Sequence, residues 1–253
     1  MSQSSTPPLL QVRDLSKSYG GIHALSKVSF NVHAGQMMAL IGPNGAGKST
    51  CFNALGGQLE ADSGSVRLND QELLGLTPEK ICRLGVGHSF QTAATFRSMS
   101  VLENIQLALL SHDRRVFNGW RRATAYKPEA ALDFLALVGM ADHARQICGT
   151  LAYGDVKRVE LAIALAQRPS LMLMDEPTAG MSHHERHSLM DLIRQLADIQ
   201  QLAVVFTEHS LDVVFKHADH IAVLVRGQLL VQGTPAAIAA NPEVQAAYLG
   251  VNE

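Results

Sequence analysis

The stretch MMALIGPNGAGKST, residues 37–50, opens with a short continuous apolar run, Met37 to Ile41, and passes through glycine into a Gly-rich loop. Five apolar residues without alternation suit a strand buried on both faces of a parallel sheet. The loop that follows, Gly42-Pro43-Asn44-Gly45-Ala46-Gly47-Lys48-Ser49-Thr50, matches the phosphate-loop pattern G-x-x-x-x-G-K-S/T in the strand–loop–helix setting that the pattern requires. Gly45 and Gly47 let backbone N–H groups approach phosphate oxygens. A helix predicted from Lys48 to Leu55 points its positive end at the anion. Lys48 supplies a point charge for the β- and γ-phosphates, and the Ser49 hydroxyl suits Mg²⁺. The loop alone leaves kinase, GTPase, motor and transport ATPase open, although the absence of an N-K-x-D guanine-reading motif weighs against a GTPase.

Around this centre the patterning is that of an α/β chain. Leu9 to Val12 and Val28 to Val32 read as strands separated by a Gly20-Gly21 turn, and Gly64 to Asp70 reads as a strand running into a turn. Residues 92–150 are rich in Leu, Ala and Met at helical spacing and poor in strand signals, so they read as a helical insert. Beyond it, Leu171 to Met174, a helix from Arg186 to Ile199, and Ala203 to Phe206 alternate as strand, helix, strand, which implies a mainly parallel sheet. Ile221 to Val225 and Leu229 to Val231 read as an antiparallel hairpin. Thr234-Pro235 and Asn241-Pro242 read as helix caps with proline at the first helical position.

Composition narrows the class. Apolar residues make up 47% and charged residues 17%, which excludes a disordered chain. Lys plus Arg is 21 and Asp plus Glu is 23, a net charge of −2, and so no basic excess marks a nucleic-acid binder. Three cysteines without paired spacing argue against a disulfide framework or zinc ribbon and fit a reducing compartment. The polar start MSQSSTPPLLQVRD lacks a signal-peptide core, and no run of about 18 apolar residues offers a membrane span.

A second constellation lies at Leu171-Met-Leu-Met-Asp175-Glu176-Pro177, an apolar strand ending in two carboxylates. Beside a phosphate loop, Asp175 can hold the Mg²⁺ shell. Glu176 can act as general base on a water attacking the γ-phosphate. Strand geometry points the two side chains to opposite faces, which predicts separate roles.

With these residues the chain, from 9 to 250, resembles the ATP-binding cassette (ABC) ATPases: a phosphate-loop core at about 9–91 and 151–250 with a helical subdomain at about 92–150. The order of motifs carries the resemblance. Gln91, in Ser-Phe-Gln, matches the family's Q-loop, which implies contacts to Mg²⁺ and the γ-phosphate and a report to a partner. Leu151-Ala152-Tyr153-Gly154-Asp155 occupies the signature position, at the head of an apolar-basic helix Lys157 to Leu165. His209 matches the switch histidine, and Tyr19 the aromatic that stacks on adenine. The resemblance implies a head-to-tail pair of cassettes, each ATP held between one phosphate loop and the other chain's signature helix.

Thr95-Phe-Arg-Ser-Met-Ser-Val-Leu-Glu-Asn and the ending Gly233-Thr-Pro…Asn241-Pro-Glu-Val…Tyr248-Leu-Gly look closest to the LivG-type ATPases of branched-chain amino acid importers. That implies a second ATPase chain (a copy or a relative), two membrane permease subunits, a periplasmic solute-binding protein acting indirectly, and a place on the cytoplasmic face of the membrane. The chain departs from the general signature Leu-Ser-Gly-Gly-Gln at Ala152, Tyr153 and Asp155, and Ser182 stands where many members carry Asp. Two other readings stay open: a soluble ABC ATPase with a non-transport mechanical role, and a phosphate-loop kinase of a small metabolite.

Three further features read as structural. His183 and His187 lie one helical turn apart, but His184-Glu-Arg-His187 is one residue short of H-E-x-x-H and shows no third ligand, so it reads as a solvated helix start. Arg114, Arg115, Arg121 and Arg122 around Phe117 and Trp120 read as a solvated or partner-facing loop. Cys51, Cys82 and Cys148 read as buried small apolar residues.

Overall fold

The computed structural model describes residues 7–89, 95–113 and 126–249. Gln91 and the Arg114–Arg122 segment lie outside the described residues. The central strand β3 (Met37–Ile41) sits in a six-stranded sheet of order β10-β9-β3-β8-β7-β6, built from β6 (Val86–Ser89), β7 (Leu171–Asp175), β8 (Ala203–Thr207), β9 (His220–Val225) and β10 (Gln228–Gly233). Neighbours from β9 to β6 are parallel, and β10 closes one edge antiparallel to β9.

The continuous apolar runs follow from two-sided burial. Met37, Ala39 and Ile41 face one hydrophobic core, whereas Met38 and Leu40 face another. Strands β7, β8 and β9 alternate in the same way: Met172, Val204 and Ile221 join the first core, and Leu171, Val205 and Ala222 the second. The sheet is thus the middle layer of three, and its central strands are apolar on both faces.

The first core is covered by helices. These are α3 (Val101–His112), α4 (Pro128–Leu137), α5 (Tyr153–Ala166), α6 (His183–Gln200) and α7 (Leu211–His217). Two of them start on capping boxes. Ser100 and Glu103 cap α3, and Ser182 and Glu185 cap α6, each Ser hydroxyl accepting the third backbone N–H while the Glu carboxylate accepts the Ser backbone N–H. Ser182 therefore has a local role as the N-cap of α6.

The second core is covered by α1 (Lys48–Leu55) and an antiparallel sheet of order β2-β1-β4-β5. Its strands are β1 (Leu10–Tyr19), β2 (Ile22–Val32), β4 (Ser63–Leu68) and β5 (Gln71–Glu72). The predicted strands at 9–12 and 28–32 are the inner ends of a longer hairpin whose tip is Gly20-Gly21. Four short elements escaped the sequence reading: β5, α2 (Pro78–Arg83), β6 and α7. The signature helix also starts earlier than Lys157, at Tyr153. The caps at Thr234 and Asn241 are present: Thr234 Oγ1 accepts from Ala237 N–H at 3.4 Å, ahead of α8 (Pro235–Ala239). Asn241 Oδ1 accepts from Glu243 N–H at 2.8 Å, ahead of α9 (Pro242–Leu249). Cys51 and Cys148 are buried as expected, but Cys82 is only half-buried, since α2 lies at the molecular edge.

Candidate nucleotide site

At the carboxyl end of β3 the chain turns sharply into α1. Gly47, the residue before the helix, has φ +102°, and a Cβ there would meet the Ala24 carbonyl oxygen at 2.4 Å. Only glycine fits between this loop and strand β2. Gly45, at φ +78°, faces open space. Lys48 folds back over its own loop, and Nζ donates to the Gly42 carbonyl at 2.6 Å and to the Pro43 carbonyl at 3.2 Å. Burial lowers its pKa from the usual lysine value, and Glu176 and Asp175 oppose that shift by attraction. The N–H groups of the first turn of α1 have no acceptor within the helix by construction, so they are presented at the loop.

Asn44 to Thr50 line an open cleft of about 220 Å³ with Ala24, Asp175, Glu176 and His209. Both carboxylates face it, contrary to the expectation of opposite faces. The reason is local: β7 ends at Asp175, and Glu176 takes φ +49°, which breaks the alternation of the strand. A non-glycine residue in that region is costly unless its surroundings fix it. Here Thr207, opposite Asp175 on β8, does so. Its hydroxyl donates to Asp175 Oδ1 at 2.5 Å and accepts the Glu176 N–H at 3.0 Å, while its carbonyl accepts the same N–H at 3.2 Å. His209 Nε2 lies 2.7 Å from Glu176 Oε1.

Glu208, 6% exposed, reaches the other way. Its Oε1 accepts from Thr178 N–H at 2.9 Å and from Thr178 Oγ1 at 2.7 Å, which anchors the loop after the acidic pair. Sequence reasoning missed Thr207 and Glu208, although both immediately precede His209, because their partners are fixed only by the β7–β8 register.

The remaining sequence-predicted residues lie elsewhere. Tyr19, half exposed, sits at the tip of the β1–β2 hairpin, and that hairpin contributes Ala24 to the cleft. Leu151 to Asp155 form the entry of α5 and do not reach the cleft of their own chain. Tyr153 instead donates its hydroxyl to the Ala179 carbonyl at 3.1 Å, joining the signature to the loop after Glu176. The donor set around Lys48, with the Ser49 hydroxyl and the Asp175 carboxylate as hard oxygens beside a cationic side chain and N–H groups, suits a magnesium–phosphate group.

Comparison with known proteins agrees with this geometry. A family model described as ABC transporter matches residues 25–179, and one described as branched-chain amino acid ATP-binding cassette transporter matches residues 228–253. The chain is 36% identical over 250 residues to the high-affinity branched-chain amino acid transport ATP-binding protein LivG of Escherichia coli, covering 96% of this chain and 98% of that one. It is 37% identical, at the same coverage, to the corresponding protein BraF of Pseudomonas aeruginosa. Among solved structures, the ADP conformation of an ATP-binding cassette of an ABC transporter superposes with a TM-score of 0.87 at 29% identity, covering 97% of this chain and 100% of the other. A phosphate loop at the head of α1, an acidic pair at the end of β7 and a histidine after β8, together with these matches, place the chain in the ATP-binding cassette family as the ATPase of an ABC transporter.

Proposed function

We propose that this chain hydrolyses Mg·ATP to drive import of branched-chain or related hydrophobic amino acids. The observation that carries the ATPase chemistry is the convergence of Lys48, Ser49, Asp175, Glu176 and His209 on one cleft at the carboxyl ends of β3, β7 and β8. Ligands of open parallel sheets bind at those ends. In this reading the loop N–H groups and Lys48 bind the phosphates, and Gly42 to Thr50 form the cradle. Ser49 and Asp175, with Gln91 from the sequence motif, would hold Mg²⁺, which supplies charge neutralisation of the phosphate oxygens. Glu176 takes the proton of the attacking water. His209 orients the Glu176 carboxylate, and Thr207 fixes the backbone turn that aims it. Tyr19 packs on the adenine.

The match to residues 228–253 and the names of the relatives support the importer reading. The working assembly would be two cassettes, identical or related, on the cytoplasmic side of two permease subunits served by a solute-binding protein. The signature residues Leu151 to Asp155 would meet the partner's ATP, Tyr153 and Asp155 reaching it through backbone N–H groups at the start of α5. We read residues 9–250 as a single cassette, with the helical part at about 92–150 facing the permeases. The test is uptake of labelled leucine into vesicles carrying the permeases, binding protein and this chain. ATP-dependent uptake is expected. ATP hydrolysis without any associated membrane protein, and no solute movement, would favour a soluble mechanical role.

A further inference from the structure

At the start of α6, the end that follows the acidic loop, α6 and α7 meet through imidazoles. His183 and His187 stand one turn apart on α6, and Asp212 comes from the first turn of α7. Asp212 Oδ2 lies 3.4 Å from His183 Nε2 and 3.2 Å from His187 Nε2, and all three ligand atoms fall within 4.8 Å of one another. Asp212 is the third ligand that the local sequence did not show.

We propose that His183, His187 and Asp212 form a binding site for a zinc-class transition-metal dication. Three observations carry this. First, tetrahedral coordination at bond lengths of about 2.0–2.2 Å places ligand atoms about 3.4 Å apart, the spacing already found between Asp212 and the two imidazoles. Second, the donors suit the ion: two imidazoles and one carboxylate favour zinc, cobalt or nickel over Mg²⁺ or Ca²⁺. Third, a supporting outer shell is in place. Coordination through Nε2 leaves the proton of His187 on Nδ1, and that N–H donates to His217 Nε2 at 3.0 Å. His217 then keeps its own proton on Nδ1, which faces Asp191 Oδ1 at 3.6 Å. Such outer hydrogen bonds fix tautomer and ring orientation at metal sites.

The exposures fit an ion that enters from solvent: the His187 side chain is 15% exposed, Asp212 50% and His183 80%, which leaves the fourth position to water. The ion would join the helix that follows the acidic loop to the helix that follows His209.

The experiment titrates Co²⁺, then Zn²⁺, into the metal-free full chain without nucleotide, following the visible absorption of four-coordinate cobalt. One equivalent of Co²⁺, displaced by Zn²⁺, is expected. His183→Ala and Asp212→Asn should each weaken binding at least about tenfold. His183→Cys should restore it and add a sulfur-to-cobalt charge-transfer band. Zn²⁺ should raise the Tm of the wild-type chain and leave that of the folded His183→Ala variant unchanged. Absence of stoichiometric binding at micromolar metal, binding indifferent to His183→Ala and Asp212→Asn, or a thiolate band in the wild-type chain would each overturn the site. Because no nucleotide is present, none of these outcomes depends on the ATPase assignment.

Discussion

Lys48 supplies a cationic side chain to the phosphate loop: within the cleft it faces two carboxylates and is held by two of its own loop's carbonyls. A charge-assisted hydrogen bond contributes about 2 kcal/mol, so Lys48→Ala is expected to weaken ATP binding about 30-fold, measured by equilibrium binding of a labelled nucleotide. Unchanged affinity would remove Lys48 from the phosphate cradle. Thr207 is the less obvious residue. Thr207→Val keeps the shape but removes the hydroxyl that both donates to Asp175 and accepts from Glu176. Asp175 then loses that donor while the Glu176 N–H keeps the Thr207 carbonyl at 3.2 Å, so the lost hydrogen bonds cost about 1 kcal/mol, and the turn at Glu176 is clamped less firmly. A lower Tm together with a lower kcat at unchanged KM is expected, and wild-type kcat would show that the clamp has no catalytic consequence. The phosphate loop and the acidic pair were legible because their chemistry is local in the chain. Thr207, Glu208 and Asp212 were not, because each acts on a partner at least 25 residues away that only the folded register brings near.

Among the elements, α6 shows how local rules and long-range function share residues. Ser182 ends the loop from the acidic pair and starts the helix, its hydroxyl accepting the Glu185 N–H while Glu185 accepts the Ser182 N–H at 2.9 Å. Ser182→Ala should lower stability by about 1 kcal/mol in denaturant unfolding, whereas Ser182→Asp, another good cap, should not. Equal losses in both would argue that the site, not the cap, is disturbed. The helix was legible from its apolar spacing, and four short elements, β5, α2, β6 and α7, were not. Strand β6, Val-Gly-His-Ser, carries one β-branched residue and follows a glycine, so its place is set by pairing with β7 rather than by propensity. Helix α7, with Val213 and Val214 in seven residues, reads equally well as a strand, and burial of both valines under α6 decides it.

At the level of the whole molecule, stability rests on the six-stranded sheet with a core on each face. Leu173, fully buried in the middle of β7, should cost about 2–5 kcal/mol when replaced by alanine, read from denaturant unfolding. Three histidines make the fold sensitive to acid. Burial lowers the pKa of His88, of His217 and of His220 below the ordinary value of 6.5. Each folded state thus binds fewer protons than the unfolded chain as pH falls below 6.5, so stability is present above that pH and declines below it. The Tm should fall on acidification from pH 6.5, and His220→Gln should flatten that fall; a Tm that rises on acidification would contradict the sign. The layered α/β plan was legible because apolar runs without alternation can be satisfied only by a sheet covered on both faces. The extent of the β1–β2 hairpin was not, since its outer half is exposed and polar. The account as a whole depends on a nucleotide held by the loop after β3 and cleaved through the carboxylate after β7. Single-turnover hydrolysis of Mg·ATP by Glu176→Gln, measured beside its ATP affinity, addresses that claim most directly. The account expects wild-type affinity with the chemical step slowed at least about 100-fold, and a variant that binds and cleaves ATP at the wild-type rate would contradict it.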